Sequence, residues 1–540
     1  MTEKRYPAQL VEGLVNCRNL FAEINQKYWS KFEDNIPSGR DEYVLVDFLV
    51  GHPGYMIGNA ITAKYLQYLE GFKAVVLAPS RKHDWMINIA KSFGFDEFVF
   101  EDESDRVPPA IFNTLPFNQA KSPEELREFV LATELNGLAI GDLIYDSFIS
   151  GESPGTITEV TPKLIEAVLS SIYYYNLSNN LFKNYKIGAL TVGHRVYNRF
   201  GIMSRMAITK GIPVYGKKQR SYPAFTVRRD DTIKGCSNFE YEFSCEEFEE
   251  SLRHITPEIL EDAKQKVRLG YNGALNHKAH DDSRRVLNRE ELCQELNLDP
   301  NKPIVPIFSH CFTDSPHFCT ENIFDDYVQW LLGTLEAATK NPNVNWLLKA
   351  HPNQPSYQCT QSAQSIFHEY AKNAPNLALA PDDYHIHTFY DIASAAVTCS
   401  GSAGLEFPCL GIPTVTAANG FYGGKGFTMQ AKSQKEYSEI LENIENHFEF
   451  SSEQQERALA YWHLIYMSSR IESQFMPTFV CSSLEPHEEI PVWFDAAHLL
   501  NDKSPFEDPF FQAFKFQVEN KKTHPFPRGF WKEEKKDEAA

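Results

Sequence analysis

The chain has 540 residues, of which 42% are hydrophobic and 23% are charged, and its formal net charge is −20. This length exceeds what one hydrophobic core supports, so we expect more than one domain. The acidic balance excludes a general nucleic-acid-binding protein, because such proteins need a basic surface to neutralise phosphates. The ten cysteines are scattered without a CxxC pair or zinc-finger spacing, so we predict no disulfide framework and no metal site.

No stretch of the sequence reaches the roughly 20 apolar residues that a membrane-spanning helix needs. The most apolar run, residues 43–51, contains Asp47. The first 30 residues lack the apolar core and the small-residue cleavage site of a signal peptide. The sequence therefore predicts a cytoplasmic protein.

The first half of the chain opens with a strand–helix–strand pattern. From Tyr43 onward, YVLVDFLV predicts a strand, GHPGYMIGN a turn, AITAKYLQYLEG an amphipathic helix and KAVVLAP a second strand. Further along we expect a helix over 160–182, the strand IGALTV, and a helix that Gly211 and Pro213 end before another strand. Rossmann-like domains bind ligands at the loop after their first strand, although the GxGxxG spacing is absent here.

The second half has a clearer alternation. Residues 245–300 are charged and helical in pattern and predict an interdomain connection. PIVPIF, NWLLKA, NLALA, AAVTC and PTVTA then predict short buried strands, each separated from the next by a helical segment. This pattern indicates a parallel, doubly wound sheet that binds ligands at the carboxyl ends of its strands. The predicted fold class is α/β, with two Rossmann-like domains facing a cleft.

The predicted boundaries follow from these patterns. Residues 1–295 form an N-terminal, acceptor-side domain with helical insertions, and residues 296–475 form the domain that binds the nucleotide-sugar donor. Residues 476–540 form an extension that ends in the charged, disordered stretch KEEKKDEAA.

Polar residues follow three strands of the second domain and predict a phosphate-binding site. Backbone N–H groups at a helix N-terminus favour a negatively charged ligand, and a histidine there donates a hydrogen bond to it. A carboxylate on the first turn of that helix accepts hydrogen bonds from ribose hydroxyls. The predicted donor-binding residues are His310, Asp314, Lys349, His351, Pro352, Ser400, Gly401, Ser402 and Glu406.

Each of these residues also has a purely structural interpretation. Ser402 is suited to cap the following helix, His351 with its proline is suited to a turn, and Glu406 is suited to an exposed first helical turn. However, all three groups of polar residues follow strands of the same domain, and this common position favours the nucleotide site over the structural interpretations.

Two of the motifs resemble those of a known family. LLKAHP at 347–352 followed by SGSAGLE at 400–406 is similar to the His-Pro and paired-serine motifs that bacterial sialyltransferases share with the capsule polysaccharide biosynthesis family, which includes Kdo transferases. The similarity extends over about 300–430, including the glycine-rich FYGGKGFT. In that family the two motifs hold the phosphate and ribose of a CMP-sugar. Here Gly401 separates the two serines, which are adjacent in the family pattern.

The resemblance implies a GT-B glycosyltransferase with an inverting mechanism and no essential metal or cofactor. Its donor would be a CMP-activated acidic sugar such as Kdo or a sialic-acid-like sugar, and its acceptor a glycan or lipid-linked glycan of a surface polysaccharide. Three alternatives stay open: a CDP-alcohol phosphotransferase of the teichoic-acid type, a sugar-nucleotide epimerase, and a non-catalytic assembly protein with the same fold.

An inverting transferase needs a base that takes the proton of the acceptor hydroxyl, and we expect it on the N-terminal domain. The candidates are Asp142 and Asp146 in IGDLIYDSF and His194 in TVGHR. Asp146 follows an apolar stretch, so we expect burial to raise its pKa. Guanidinium groups pair bidentately with carboxylates, and the candidates to hold an anionic acceptor or the donor carboxylate are Arg195, Arg199 and Arg205.

The C-terminal extension is rich in aromatic residues, which include Phe506, Phe510, Phe511, Phe514, Phe530 and Trp531. One interpretation is that they pack back onto the N-terminal half. The other is peripheral membrane association at the inner face of the cell membrane, because aromatic residues beside cations suit that interface.

Overall fold

The computed structural model describes residues 6–104, 106–219, 224–231, 242–271, 283–318, 321–478, 485–500 and 503–526. Its strands are β1 (Tyr43–Asp47), β2 (Lys73–Ala78), β3 (Glu97–Phe100), β4 (Glu134–Leu135), β5 (Leu138–Ala139), β6 (Ile187–Val192), β7 (Val214–Gln219), β8 (Ala224–Asp230), β9 (Ile304–Phe308), β10 (Asn345–Lys349), β11 (Leu377–Leu379), β12 (Ala396–Thr398), β13 (Thr414–Thr416), β14 (Met429–Gln430) and β15 (Ile471–Glu472).

The α-helices are α1 (Ala8–Trp29), α2 (Pro53–Glu70), α3 (Asp84–Ser92), α4 (Pro123–Leu131), α5 (Gly141–Ile149), α6 (Pro162–Asn184), α7 (Tyr197–Thr209), α8 (Cys245–Ser251), α9 (Pro257–Arg268), α10 (Arg289–Glu295), α11 (Tyr327–Lys340), α12 (Ala363–Tyr370), α13 (Ile386–Ile392), α14 (Ala403–Cys409), α15 (Gln434–Glu442), α16 (Ser452–His463), α17 (Pro486–Leu499) and α18 (Pro509–Glu519). Within the described ranges, none of the helices is long and apolar enough to cross a bilayer.

The first large sheet has seven strands in the order β3-β2-β1-β6-β7-β8-β15. The five strands from β3 to β7 pair in parallel, whereas β8 is antiparallel to β7 and β15 is antiparallel to β8. This is a Rossmann-like sheet with an antiparallel edge, an arrangement common in doubly wound folds.

The second sheet has six strands in the order β11-β10-β9-β12-β13-β14, and all neighbours pair in parallel. Its central strands are buried, because helices cover both faces of the sheet; this agrees with the apolar sequences of these strands. Val305, Leu347 and Val397 are each 0% exposed. Numbered within the domain, the order is 3-2-1-4-5-6, the order of the Rossmann fold. The predicted α/β fold class with two Rossmann-like domains is therefore confirmed.

Helix α2 differs from the amphipathic helix that the sequence predicted. It begins after His52, whose Nδ1 accepts a hydrogen bond from the N–H of Gly54, and it ends at Gly71 in the left-handed conformation. Its residues from Pro53 to Tyr68 are almost all buried, because the helix lies between the first sheet and the C-terminal helices. Lys64 is also buried, and burial lowers the pKa of its ammonium group to about 8.

The chain returns to the first domain after α16. β15 extends the first sheet, α17 packs along α1, and α18 packs on α2. Two ring contacts illustrate the packing: Phe21 lies 5.1 Å from Trp493, and Tyr65 lies 4.9 Å from Phe511, between ring centroids. The C-terminal part of the chain that packs on the first domain therefore begins at β15. This strand lies inside the range 296–475, which was predicted to form the second domain.

Most of the tail's aromatic residues within the described ranges are buried. Phe510, Phe511 and Phe514 belong to the core of the first domain, and Phe526 packs on Phe243 in the core of the second. These contacts agree with the interpretation that the extension packs onto the protein. Phe530, Trp531 and the charged end lie outside the described residues.

Candidate functional site

A two-lobed cavity lies at the carboxyl ends of β9, β10 and β12, where the strand order of the second sheet reverses. The inner lobe has a volume of about 160 Å³ and the adjoining outer lobe a volume of about 420 Å³. The two lobes share one boundary, which we call the junction, and its residues are Arg284, Lys349, Ala350, His351 and Pro352. This is the position where open parallel sheets bind ligands.

Three cationic or potentially cationic side chains meet at the junction. Lys349 ends β10, and its Nζ donates a hydrogen bond to the carbonyl of Pro381 at 2.6 Å. Burial lowers the pKa of Lys349 to about 8. Arg284 comes from the chain segment before α10, and no sequence pattern separates it from the other charged residues of that segment.

His351 is oriented by its own turn. Its Nδ1 accepts a hydrogen bond from the N–H of Asn353 at 3.1 Å and lies 3.1 Å from Sγ of Cys311. Because Nδ1 acts as an acceptor, the ring proton is on Nε2, the nitrogen that acts as a donor. The His-Pro turn and the binding role expected of His351 are thus compatible.

His310 is buried between the inner lobe and α11. Its ring stacks on Tyr327 with centroids 4.0 Å apart, and its Nε2 accepts a hydrogen bond from the N–H of Ser400 at 3.3 Å. Burial lowers the pKa of His310 to about 3, with a smaller contribution from His351. His310 is therefore neutral near pH 7 and organises the serine loop as a hydrogen-bond acceptor.

The two serines of the SGS loop have different environments. Ser400 is buried, and its Oγ lies 3.2 Å from the hydroxyl of Tyr327. Gly401 and Ser402 line the inner lobe together with Glu406. Ser402 precedes α14 but makes no capping hydrogen bond, so a capping role does not account for its hydroxyl.

The remaining wall of the inner lobe is largely apolar. Phe308, Ile386 and Phe389 line it, and Glu406 accepts a hydrogen bond from Tyr390 at 3.2 Å at its edge. The outer lobe is polar, and its additional side chains include Gln354, Gln358, Ser362, Gln364 and Asp382. The cavity thus combines an apolar lobe, a cationic junction and a polar lobe.

The segment after β9 carries the other predicted donor residue, Asp314. Its carboxylate is exposed and contributes with burial to raising the pKa of Tyr357. Asp314 does not line either lobe, so the structure separates it from the other predicted donor residues.

Asp146 lies on α5 at the contact between the two domains. It is 1% exposed, and its Oδ1 lies 2.7 Å from Nδ1 of His317, which belongs to the segment after β9. Burial raises the pKa of Asp146, as the sequence predicted. His317 was not predicted from the sequence, although it lies with His310 in the stretch FSHCFTDSPH at 308–317.

The other two predicted base residues bond to groups within the first domain. Asp142 forms a bidentate ion pair with Arg205. Burial alone would raise the pKa of Asp142, but the Arg205 guanidinium outweighs it and holds that pKa below its ordinary value. His194 follows β6, and its Nδ1 accepts hydrogen bonds from the N–H groups of Arg195 and Val196 at 3.1 and 3.2 Å.

The remaining predicted arginines also form ion pairs within the first domain. Arg195 is buried and pairs with Asp230, whereas Arg199 pairs with Glu101 through two hydrogen bonds of 3.1 and 2.5 Å. Neither arginine lines the two-lobed cavity. In the part of the chain that the structure describes, no group of three or more histidine, cysteine or carboxylate side chains is arranged to hold a metal ion.

No protein-family model matches the sequence, and no curated protein matches it. Solved structures similar to this chain include the β-Kdo 2,4 transferase of KpsC from Thermosulfurimonas dismutans, with 12% identity over 51% of this chain and 79% of that one and a TM-score of 0.33. A UDP-GlcNAc 2-epimerase from Neisseria meningitidis, bound to UDP-GlcNAc, has 13% identity over 78% and 97% of the chains and a TM-score of 0.25.

The wall teichoic acid polymerase TagF has 9% identity over 92% of this chain and 98% of that one, with a TM-score of 0.23. TM-scores of this size carry no functional argument, and the fold assignment rests on the two sheets themselves.

Proposed function

We propose that this protein is a glycosyltransferase of surface polysaccharide synthesis, which binds a nucleotide-activated sugar in the two-lobed cavity and transfers the sugar to a glycan or lipid-linked glycan. The observation that supports this most is the junction. Arg284, Lys349 and His351 line it together, near the carboxyl ends of parallel strands and beside the hydroxyl of Ser402 in the SGS loop. Such a concentration of donors suits a phosphate group.

The proposed donor is a CMP-activated acidic sugar, of which Kdo and the sialic acids are examples. The nucleobase would pack against Phe308 and Phe389, and Glu406 would accept from the ribose hydroxyls. The sugar phosphate and the sugar carboxylate carry one negative charge each, which the cations of the junction would pair. These cations would stabilise the departing nucleotide in place of a metal ion.

The proposed reaction inverts the anomeric carbon. The acceptor hydroxyl attacks that carbon from the face opposite the phosphate, while a base takes the hydroxyl proton and the nucleotide leaves with the electron pair. The acceptor would approach from the side of the first domain, which lies next to the outer lobe: Cys359, which lines that lobe, forms a β-bridge with Ser153 of the first domain.

Calorimetry with CMP, CDP, UDP and GDP tests donor binding. We expect CMP to bind most tightly, and Arg284→Ala to weaken its binding by about tenfold to a hundredfold, because a hydrogen bond to a charged group contributes about 1.5–3 kcal/mol. Arg268→Ala is the matched control, since Arg268 forms an exposed ion pair with Asp391. Equal affinities of the two variants would contradict the assignment of the junction.

Incubation with mass-tagged CMP-, CDP- and UDP-linked donors then separates the activities. Sugar transferred to a glycan supports the glycosyltransferase, and transfer of an alcohol phosphate indicates a teichoic-acid-type phosphotransferase. Release of an epimerised sugar nucleotide indicates an epimerase. Nucleotide binding without turnover of any donor indicates a non-catalytic assembly protein.

A further inference from the structure

A second cavity, of about 1050 Å³, lies between the two domains, and we call it the interdomain cavity. Arg205 of α7 and Arg229 of β8 line it from the first domain, and Cys245 lines it at the start of α8. Gly424 and Lys432 line it from the second domain. The interdomain cavity shares no lining residue with the two-lobed cavity. Ligand sites reach about 1000 Å³, so this cavity has room for more than one sugar unit.

The loop after β13 lies between the two cavities. The hydroxyl of Tyr422 donates a hydrogen bond to the carbonyl of Gly401 at 2.9 Å, and Gly401 lines the inner lobe of the two-lobed cavity. Gly423, the next residue along the chain, lines the interdomain cavity. Gly424 follows with a φ of 71°, a conformation that favours glycine, and brings the loop backbone into the cavity wall. The two cavities are therefore on either side of one tyrosine.

Cations and carboxylates line the interdomain cavity side by side. Pairs of which both partners line it include Lys432 with Glu321 at 3.5 Å, Arg229 with Asp231 at 2.9 Å and Lys425 with Glu242 at 3.9 Å. A phosphate group would meet a carboxylate beside each of these cations, and like charges repel. The interdomain cavity therefore suits a nucleotide less well than the cationic junction of the two-lobed cavity does.

Hydroxyl groups match a wall of paired charges. A hydroxyl donates one hydrogen bond and accepts others, so it can bond to a carboxylate and to a cation at the same time. The amides of Asn419 and Gln430 and the hydroxyl of Ser244 also line the cavity, and each of these groups both donates and accepts. An oligosaccharide presents many hydroxyls without a dense charge, so its chemistry fits this wall.

We propose that the interdomain cavity binds an oligosaccharide segment of the glycan to which the protein adds a sugar. The inference rests on the proposed function, because that reaction requires a glycan or lipid-linked glycan as acceptor. The cavity would hold a part of this glycan outside the two-lobed cavity, in which the donor binds. Hydroxyls of the segment would bond to the paired charges of both domains.

A glycan array with neutral, sialylated and Kdo-containing oligosaccharides tests binding. We expect the wild-type protein to bind a subset of them, and calorimetry then measures the affinity for the best ligand. Lys432→Ala should weaken this affinity by about tenfold, because it removes a hydrogen bond to a charged group. Lys435→Ala is the matched control, since the exposed Lys435 pairs with Glu439 and lines neither cavity.

Cys245 allows a second test of the location. It lines the cavity and is exposed, whereas the other free cysteines of the described ranges are buried or half-buried. Alkylation of Cys245 with N-ethylmaleimide adds a bulky group inside the cavity, so we expect the treated wild-type protein to lose oligosaccharide binding. Cys245→Ser is the control: the reagent should leave its oligosaccharide affinity as it was before treatment. The treated wild-type and Cys245→Ser proteins should have equal affinities for CMP.

The outcomes separate this inference from the proposed function. Binding of no oligosaccharide on the array would overturn the inference, and so would an oligosaccharide affinity that alkylation of Cys245 does not change. Equal losses in Lys432→Ala and Lys435→Ala would overturn it as well. A protein that binds nucleotides but no oligosaccharide contradicts this inference alone. A protein that binds an oligosaccharide in this cavity but no nucleotide contradicts the proposed function.

Discussion

At the scale of single residues, neighbours in the sequence have different roles because distant elements decide their environments. The SGS motif predicts that both serine hydroxyls reach one phosphate. The hydroxyl of Ser400 instead lies beside that of Tyr327 on α11, whereas Ser402 lines the cavity. The motif alone could not separate them, since the position of Tyr327 depends on how α11 packs on the sheet.

Lys349 gives the site a pH dependence whose direction follows from its burial. The pKa of about 8 means that the ammonium group is charged below that pH and loses its proton above it. We therefore expect the affinity for CMP in calorimetry to fall as the pH rises from about 7 to about 9. Lys349→Arg, whose guanidinium keeps its charge over this range, should bind CMP with little dependence on pH. An equally steep decline in both proteins would contradict the role of Lys349.

At the scale of elements, the sequence predicts the strands that have a local hydrophobic pattern. It does not predict the strand that the C-terminal part of the chain adds to the first sheet. Five of the six strands of the second sheet, β9 to β13, are short and mainly apolar runs, because helices cover both faces of the sheet, and these five are predicted from the sequence as buried strands. The antiparallel edge of the first sheet was not predicted. Its outermost strand, β15, has only two residues and pairs with β8 from more than 200 residues away, so β15 has little pattern of its own.

The packing of α18 predicts a large contribution of the C-terminal segment to stability. Phe511 is buried and contacts Tyr65 of α2, so Phe511→Ala should lower the free energy of unfolding by about 3–5 kcal/mol. The control is Phe494→Ala on α17, because Phe494 is 47% exposed and its removal leaves no buried cavity. Urea unfolding followed by tryptophan fluorescence measures both. Equal midpoints for the two variants would mean that α18 adds little to the core.

At the scale of the whole molecule, the proposed function divides the tasks between the two domains. Every residue that lines the two-lobed cavity lies between Arg284 and Glu406, so the proposed donor site includes no residue of the first sheet. The rule that ligands bind at the carboxyl ends of parallel strands predicted seven of these lining residues from the sequence, among them His310, His351 and Ser402. It could not predict Arg284 or His317, because no strand-end pattern marks the first and only the fold brings the second to Asp146.

This division predicts that weakening the domain contact affects transfer but not donor binding. Arg127 is buried, and besides its ion pair with Asp325 it donates to the carbonyl of Ile157 at 3.2 Å. Arg127→Met removes both bonds, so the domains should hold their relative position less firmly. Because misplacement of reacting groups lowers the rate steeply, we expect a loss of about tenfold or more in the rate of sugar transfer.

The affinity of the Arg127→Met protein for CMP in calorimetry should stay within about twofold of the wild type, since no cavity residue changes and distant sites act independently. Arg81→Met is the control, because Arg81 forms an exposed ion pair with Glu103 on the first domain. That variant should keep both the affinity and the rate. A parallel loss of CMP affinity and transfer in Arg127→Met would mean that the first domain also shapes the donor site, and the division of tasks would be wrong.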